Sequence, residues 1–295
     1  MLYQKILIIY NPTAGWRRRR KLNGFVNLLR SGGCSVSVLE TTARGDAEQF
    51  AMNCAEMKID CVVAAGGDGT INEIMNGLAC HDINKQIPLA ILPLGTANVF
   101  AFEIGLNLNI KKCADVVQSG CLKKIHLGTV NNRLFIQMAG VGFDAQIVSD
   151  VPPTLKRRFG KLAYVWKTLV GFFRYRLPTY TVSIDGIIHG AASVVVANGH
   201  FYGGKFVCAP QASVFENDLK VCIFKSQGGW NAFRYALGLV RGRLPYYPDI
   251  EVISGKHLEI DGDVNQPAQA DGDIVANLPL SIEAGSATVN VMVPA

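Results

Sequence analysis

The chain has 295 residues, 49% of them hydrophobic and 18% charged, with a formal net charge of +6. The length suits two domains or one large one, and that apolar content excludes long disorder. The mild positive charge selects no partner class, because an anionic ligand, an anionic membrane surface and nucleic acid fit it about equally.

Eight cysteines (34, 54, 61, 80, 113, 121, 208 and 222) form no Cys-x-x-Cys pair, and most stand among apolar residues. They read as reduced, buried thiols rather than zinc ligands or disulfides. The N-terminal apolar run Ile6–Tyr10 is too short for a signal-peptide core. The longest uncharged stretches, near 86–102 and 187–204, are interrupted by Pro, Gly, His and Asn. No transmembrane helix is expected, and the chain reads as cytoplasmic.

Lys5–Tyr10 predicts a first buried strand, ending at the turn-rich Asn11-Pro12-Thr13-Ala14-Gly15. A helix is expected from the basic run Trp16-Arg17-Arg18-Arg19-Arg20-Lys21 to about Arg30, stopped by Ser31-Gly32-Gly33. Cys34–Leu39 alternates as a second strand, Thr41-Thr42 follows, and Asp46–Lys58 reads as a second helix. The apolar run 59–65 is a third strand, leading into Gly66-Gly67-Asp68-Gly69-Thr70 and a helical segment through Leu78. Pro88–Leu92 is a fourth strand, followed by Pro93-Leu94-Gly95-Thr96-Ala97-Asn98 and another helix start. Strand and helix alternate to about residue 120, which predicts a parallel α/β sheet.

The organising stretch is Gly66–Thr70. A buried strand, a glycine turn and a helix start make an anion-binding corner: glycines let backbone N–H groups approach a phosphate, and the helix N-terminus supplies positive potential. The simpler reading is a tight Asp-Gly turn. The corner is not a P-loop, since no lysine follows the glycines. It also departs from the dinucleotide fingerprint, because Asn72 stands where the third glycine belongs. Loops 11–15, 41–45, 66–70 and 93–98 all leave carboxyl ends of strands, the edge at which open α/β sheets bind ligands.

After about residue 125 short strand-like runs dominate: 125–130, 133–139, 180–188, 191–197, 219–225, 250–254, 256–261 and 287–293. Asp185-Gly186, Asp261-Gly262 and Asp271-Gly272 supply turns. An all-β, antiparallel second domain is expected, interrupted by one helix-like insertion at 155–177. The expected domains are therefore 1–125 and 126–295.

Taken in order, these motifs resemble the bacterial diacylglycerol kinase-like lipid kinases, the family that includes sphingosine and ceramide kinases. Asn11-Pro12-x-x-Gly15 is similar to its first nucleotide loop, Gly66–Thr70 with Asn72-Glu73 to its signature, and Pro93–Asn98 to its third motif. Gly140-Val141-Gly142-Phe143-Asp144-Ala145, Asn198-Gly199 through Gly203-Gly204, and Asp271-Gly272-Asp273 resemble second-domain landmarks. The resemblance covers nearly the whole chain. It implies an N-terminal, mostly parallel α/β domain, a C-terminal antiparallel β-sandwich, and an active site in the cleft between them. It implies transfer of the ATP γ-phosphate to a membrane-lipid hydroxyl such as that of diacylglycerol, with Mg²⁺. By the same resemblance, Asn11, Thr41, Thr42, Gly66, Gly67, Asp68, Gly69, Thr70, Asn72 and Thr96 contact ATP, and Asp271 is the catalytic base.

Two departures stand out. Asp273 replaces the family's Glu, and Glu216-Asn217 replaces an Asp-Gly pair whose acid helps to hold a structural Mg²⁺. Glu216 keeps a hard oxygen ligand there. The glycine pentad alone is shared with NAD kinases, so an NAD kinase-like enzyme is the alternative, and a non-enzymatic nucleotide- or lipid-binding regulator is another. The third motif and the Asp271 segment favour the lipid kinases. No nucleic-acid partner is expected, since a solvated helix face accounts for Arg17–Lys21. Segment 155–177 places Leu155, Phe159, Leu162, Trp166, Leu169, Phe173 and Leu177 on one helical face, with basic residues and no acidic ones around them. Lys156, Arg157, Arg158 and Lys161 are expected to contact lipid at the inner membrane face, although a core helix with a basic rim explains the pattern nearly as well. The oligomeric state and the identity of the lipid stay open.

Overall fold

The computed structural model describes residues 3–13, 16–82, 87–143, 145 and 179–295. The expected helix at 155–177, with Lys156, Arg157, Arg158 and Lys161, lies outside the described residues, as do Gly15 and Asp144. The chain divides into two compact units, 1–125 with 287–295, and 126–286.

In the first unit, strands β1 (Lys5–Tyr10), β2 (Ser35–Glu40), β3 (Cys61–Gly66) and β4 (Leu89–Pro93) form a parallel sheet in the order β2-β1-β3-β4. Every residue of β3 and β4 is buried. Continuous apolar runs such as Cys61-Val62-Val63-Ala64-Ala65 suit a parallel sheet, whose two faces are both covered. The covers are helices α1 (Trp16–Ser31), α2 (Asp46–Met52), α3 (Asp68–Leu78), α4 (Val99–Glu103) and α5 (Ile110–Ser119). Helix α2 is shorter than expected, because the chain tightens into a 3₁₀ turn over Cys54–Met57. Helix α5 begins at Asn109, whose side chain accepts the Lys111 amide at 2.9 Å and so caps it. Helices α2 and α3 pack closely at Gly77, where a Cβ would fall 2.4 Å from the Glu48 carbonyl oxygen.

The end of the chain corrects the expected boundary. The last strand, Leu280–Val293, places residues 287–293 in the first unit, with Val291 paired in parallel to Leu89 of β4. The expected second domain had run unbroken to 295.

The second unit is built from two antiparallel sheets. One contains β5 (Cys121–Val130), β6 (Arg133–Phe135), β8 (Tyr180–Ile184), β9 (Ile187–Ala191), β15 (His257–Asp261) and the first half of β18 (Leu280–Val293). The other has the order β14 (Ile250–Gly255), β13 (Leu219–Phe224), β10 (Ser193–Ala197), β7 (Met138–Val141), β16 (Pro267–Ala270), β17 (Asp273–Asn277). Tyr180, Val182, Leu258 and Ile282 of the first sheet and Val141, Val194, Val221 and Ala268 of the second form one buried cluster. That is the core of a β-sandwich. Strands β10 and β13 are buried along their whole length. Their opposite face carries Val195, Cys222 and Phe224, covered by Tyr235 and Leu244. Tyr235 belongs to helix α6 (Gly229–Val240), an element absent from the expected all-β pattern. A two-stranded ribbon, β11 (Phe201–Tyr202) with β12 (Phe206–Val207), completes the described strands.

Three hairpins in this unit share one device. Asn131, Asp185 and Asp271 each follow a strand in the left-handed conformation, with φ of 50°, 48° and 48°. Each donates its N–H to a carbonyl in a neighbouring strand and accepts the N–H of that same residue on its side chain. The partners are Ser281 for Asn131, His257 for Asp185 and Met138 for Asp271. Asn and Asp tolerate the left-handed region, and their short side chains reach backbone donors from it. The turn residue thereby pins its hairpin to the next strand.

None of the eight cysteines forms a disulfide, and six are buried. Cys80 and Cys121 are exposed, against the general expectation of burial. No helix among the described residues is long and apolar enough to cross a membrane.

Candidate functional site

In the first unit the loops named from sequence are joined by direct bonds. Asn11 extends β1 by donating its N–H to the Ala65 carbonyl at 3.1 Å. Its side-chain amide donates to Thr70 Oγ1 at 3.1 Å, and its Oδ1 accepts the Thr13 amide at 3.1 Å and the Thr13 hydroxyl. Asn11 therefore ties the first loop to the start of α3. Gly66 is required at the strand end, because a Cβ there would lie 2.6 Å from Thr70 Cβ and Oγ1.

The glycine corner also meets the 93–98 loop backbone to backbone. A Cβ on Gly95 would fall 2.6 Å from Gly67 Cα and 2.6 Å from Asn98 Oδ1. Leu94 donates its N–H to the Gly66 carbonyl at 2.8 Å. Asn98 takes the left-handed conformation at φ 50° and donates its side-chain amide to the Gly95 carbonyl. Asp68, at the first position of α3, accepts the Phe100 amide at 3.1 Å. Burial is the largest influence on its carboxyl and pushes it up, while backbone amides of Phe100, Val99 and Asn98 pull the other way. The acid thus bridges the starts of α3 and α4. It shapes the loop, since like charges keep a carboxylate from binding phosphate directly.

Gly69 and Thr96 are exposed, and nothing stands within 4 Å of where a Cβ on Gly69 would be. A helix N-terminus flanked by glycines and short polar side chains gives backbone N–H groups access to an anion. Asn72 lies one turn along α3 and accepts from the Asn76 side chain. In the 41–45 loop Thr41 is buried and donates its N–H to the Tyr10 carbonyl. Thr42 is exposed and gives both its N–H and its hydroxyl to Asp46, which also accepts the Ala43 amide. These donors hold the Asp46 carboxyl below its ordinary range, the Thr42 amide contributing most. Asp46 shapes this loop, a role the sequence reading missed. Arg19 pairs with Glu40 at 2.7 Å and stands 5.8 Å from the Tyr10 ring, so one member of the basic run serves a solvated helix face.

In the second unit Asp271 is half-buried in the β16–β17 turn. Its Oδ2 accepts the Ile136 amide at 2.7 Å, and its Oδ1 accepts Gln137 at 2.9 Å and Met138 at 3.1 Å. The carboxylate is held in a single orientation by three backbone donors. Gln137 adds a feature invisible in the sequence: its side chain is buried, and neither polar atom of its amide has a hydrogen-bond partner among the described residues.

Glu216 is exposed in a turn, its N–H bonded to the Ser213 carbonyl. Asp218 is engaged by Lys220 at 2.6 Å. Asn217 fills the space over Gly285, where a Cβ would overlap its side-chain oxygen. No group of three His, Cys, Asp or Glu residues suited to a metal occurs among the described residues. The turn around Glu216 is organised by the Lys220–Asp218 pair and the packed Asn217 amide.

Comparison with known proteins agrees with this architecture. Residues 5–130 match the diacylglycerol kinase catalytic domain, and residues 137–293 match the YegS C-terminal NAD kinase beta sandwich-like domain. The chain is 33% identical over 278 residues to a diacylglycerol kinase of Bacillus subtilis, covering 92% of this chain and 90% of that one. It is 30% identical over 228 residues to an Enterobacter protein named "Probable lipid kinase YegS-like", covering 76% and 75%. A crystal structure of a diacylglycerol kinase from Bacillus anthracis superposes with a TM-score of 0.76 at 22% identity, over 99% of this chain and 98% of that one. At that identity the likeness concerns the fold. The parallel α/β unit with its glycine corner, the antiparallel sandwich and the end-to-end match to a named kinase place the chain in the diacylglycerol kinase-like lipid kinase family.

Proposed function

We propose that this protein transfers the γ-phosphate of ATP to the hydroxyl of a membrane lipid of the diacylglycerol type. The observation that carries the reading is the Gly67–Gly95 contact at the start of α3, where two loops meet with no side chain between them. Such a corner leaves backbone N–H groups as the ligands for phosphate. The substrate is the magnesium complex of ATP. Gly66 to Thr70 face its phosphates, while Asn11, Thr41, Thr42, Asn72 and Thr96 line the nucleotide. Asp68 contributes by fixing the loop. The lipid oxygen attacks the γ-phosphorus, the bond to the bridging oxygen of ADP breaks, and the hydroxyl proton passes to the Asp271 carboxylate. Phosphoryl transfer needs little else from a protein than positioning and electrostatics. The amides on Asp271 contribute positioning, since a base held in one orientation loses no freedom on reaction.

The test is incubation of purified protein with γ-labelled ATP and a total lipid extract. Label entering a chloroform-soluble phospholipid is the expected result. Label transferred to NAD and absent from lipid would overturn the reading.

A further inference from the structure

Helix α6 has two apolar faces. Ala232, Tyr235 and Gly238 are buried against the sandwich. Trp230, Phe233, Leu237 and Val240 recur on the opposite side at helical spacing. Trp230 is 75% exposed and Val240 63%, and the Trp230 and Phe233 rings lie 5.8 Å apart. Just beyond the helix Tyr246 is 77% exposed. Burial in this unit's core accounts for none of these three exposed residues.

The charges around this face have one sign. Residues 226–248 include Arg234, Arg241 and Arg243 and no acidic residue. Arg234 is used internally, paired with Asp249 and set over the Tyr235 and Tyr247 rings. Arg241 and Arg243 are exposed and have no acidic partner among the described residues. Exposed Trp and Tyr beside unpaired arginines are the composition of a membrane–water interface, where ring bodies enter the headgroup layer and cations meet anionic lipid. The helix has 12 residues. At about 18 Å it is too short to span a hydrocarbon core of about 30 Å, and so is suited to lie flat.

We propose that the outer face of α6, with Trp230, Val240, Arg241, Arg243 and Tyr246, is a docking surface for anionic lipid bilayers. The choice of a bilayer over a protein partner rests on the lipid-kinase reading together with this charge pattern.

The experiment is sedimentation of the full chain with vesicles of phosphatidylcholine alone and of phosphatidylcholine with one-quarter phosphatidylglycerol, at low salt. Each basic residue near an anionic surface is worth roughly five-fold in partitioning, so Arg241→Glu with Arg243→Glu should weaken binding to the anionic vesicles by about 25-fold or more. Trp230→Phe should remove most of the quenching of tryptophan emission by brominated lipid. Phosphorylation of detergent-dispersed lipid should match wild type in both variants. That assay tests the kinase reading separately, since docking without chemistry would leave vesicle binding intact. Wild-type partitioning of the double Arg variant, or unchanged quenching in Trp230→Phe, overturns the proposal. So does a variant-dependent change in sedimentation coefficient without vesicles, which would assign the face to a second copy of the chain.

Discussion

Asp271→Asn separates the chemical from the structural role of this acid. Asparagine keeps the size and the tolerance of φ 48° but replaces one oxygen by an NH₂. If its oxygen stays on the Gln137 and Met138 amides, the NH₂ faces the Ile136 N–H that had donated at 2.7 Å. One charge-assisted bond is lost and a buried donor is left facing a donor, a loss of about 2–3 kcal/mol. For a domain of this size that lowers Tm by roughly 4–12 °C. Loss of a general base adds a fall in turnover of about 10²–10⁴-fold. The control is Asp185→Asn, because Asp185 makes the same left-handed clamp on Lys256 and His257 and has no proposed chemical role. Scanning fluorimetry and initial rates, taken well below both melting points, give the two readouts. The expected result is a lowered Tm in both variants, with turnover lost only in Asp271→Asn. Near-normal turnover in that variant would refute the base and leave Asp271 as a turn residue. An unchanged Tm would refute the clamp.

Gly95→Ala forces a methyl group to within 2.6 Å of Gly67 Cα and Asn98 Oδ1, so the glycine corner must open; a loss of about 1–3 kcal/mol by denaturant melting and a larger proportional loss of ATP affinity by calorimetry are expected. Asp46 is held below its ordinary range by the Thr42 and Ala43 donors, so its stabilisation is present above the unfolded carboxyl value and is lost as pH falls through the folded one. The Tm difference between wild type and Asp46→Asn should accordingly vanish on acidification below about pH 4, as a melting series across pH would show. Gln137→Met removes a buried amide that has no partner among the described residues and should raise stability by about 1–3 kcal/mol, read as a higher Tm. If turnover falls in the same variant, that amide is retained for the reaction.

The sequence alone determined the elements whose signal is local. The apolar runs at 5–10, 59–65 and 88–92 became the buried parallel strands 5–10, 61–66 and 89–93 because a strand covered on both faces needs no alternation. The glycines of 66–69 marked a strand-to-helix corner, and the Asp-Gly pairs at 185 and 271 marked hairpins, because positive φ restricts which residues can stand there. Helix α6 escaped notice because Gly228 stands at its N-cap, so no capping side chain marks its start. Its role as cover for β10 and β13 is a tertiary fact. So is the return of residues 287–293 to β4, since one 14-residue strand gives no local sign that its two halves belong to different units. At the site, the residue types were legible and their partners were not. Nothing near Gly95 announces Gly67, and nothing near Asp271 announces the amides of Ile136 to Met138. Backbone contacts between residues tens to more than a hundred positions apart depend on strand order and register, and those are decided when the sheets pack together.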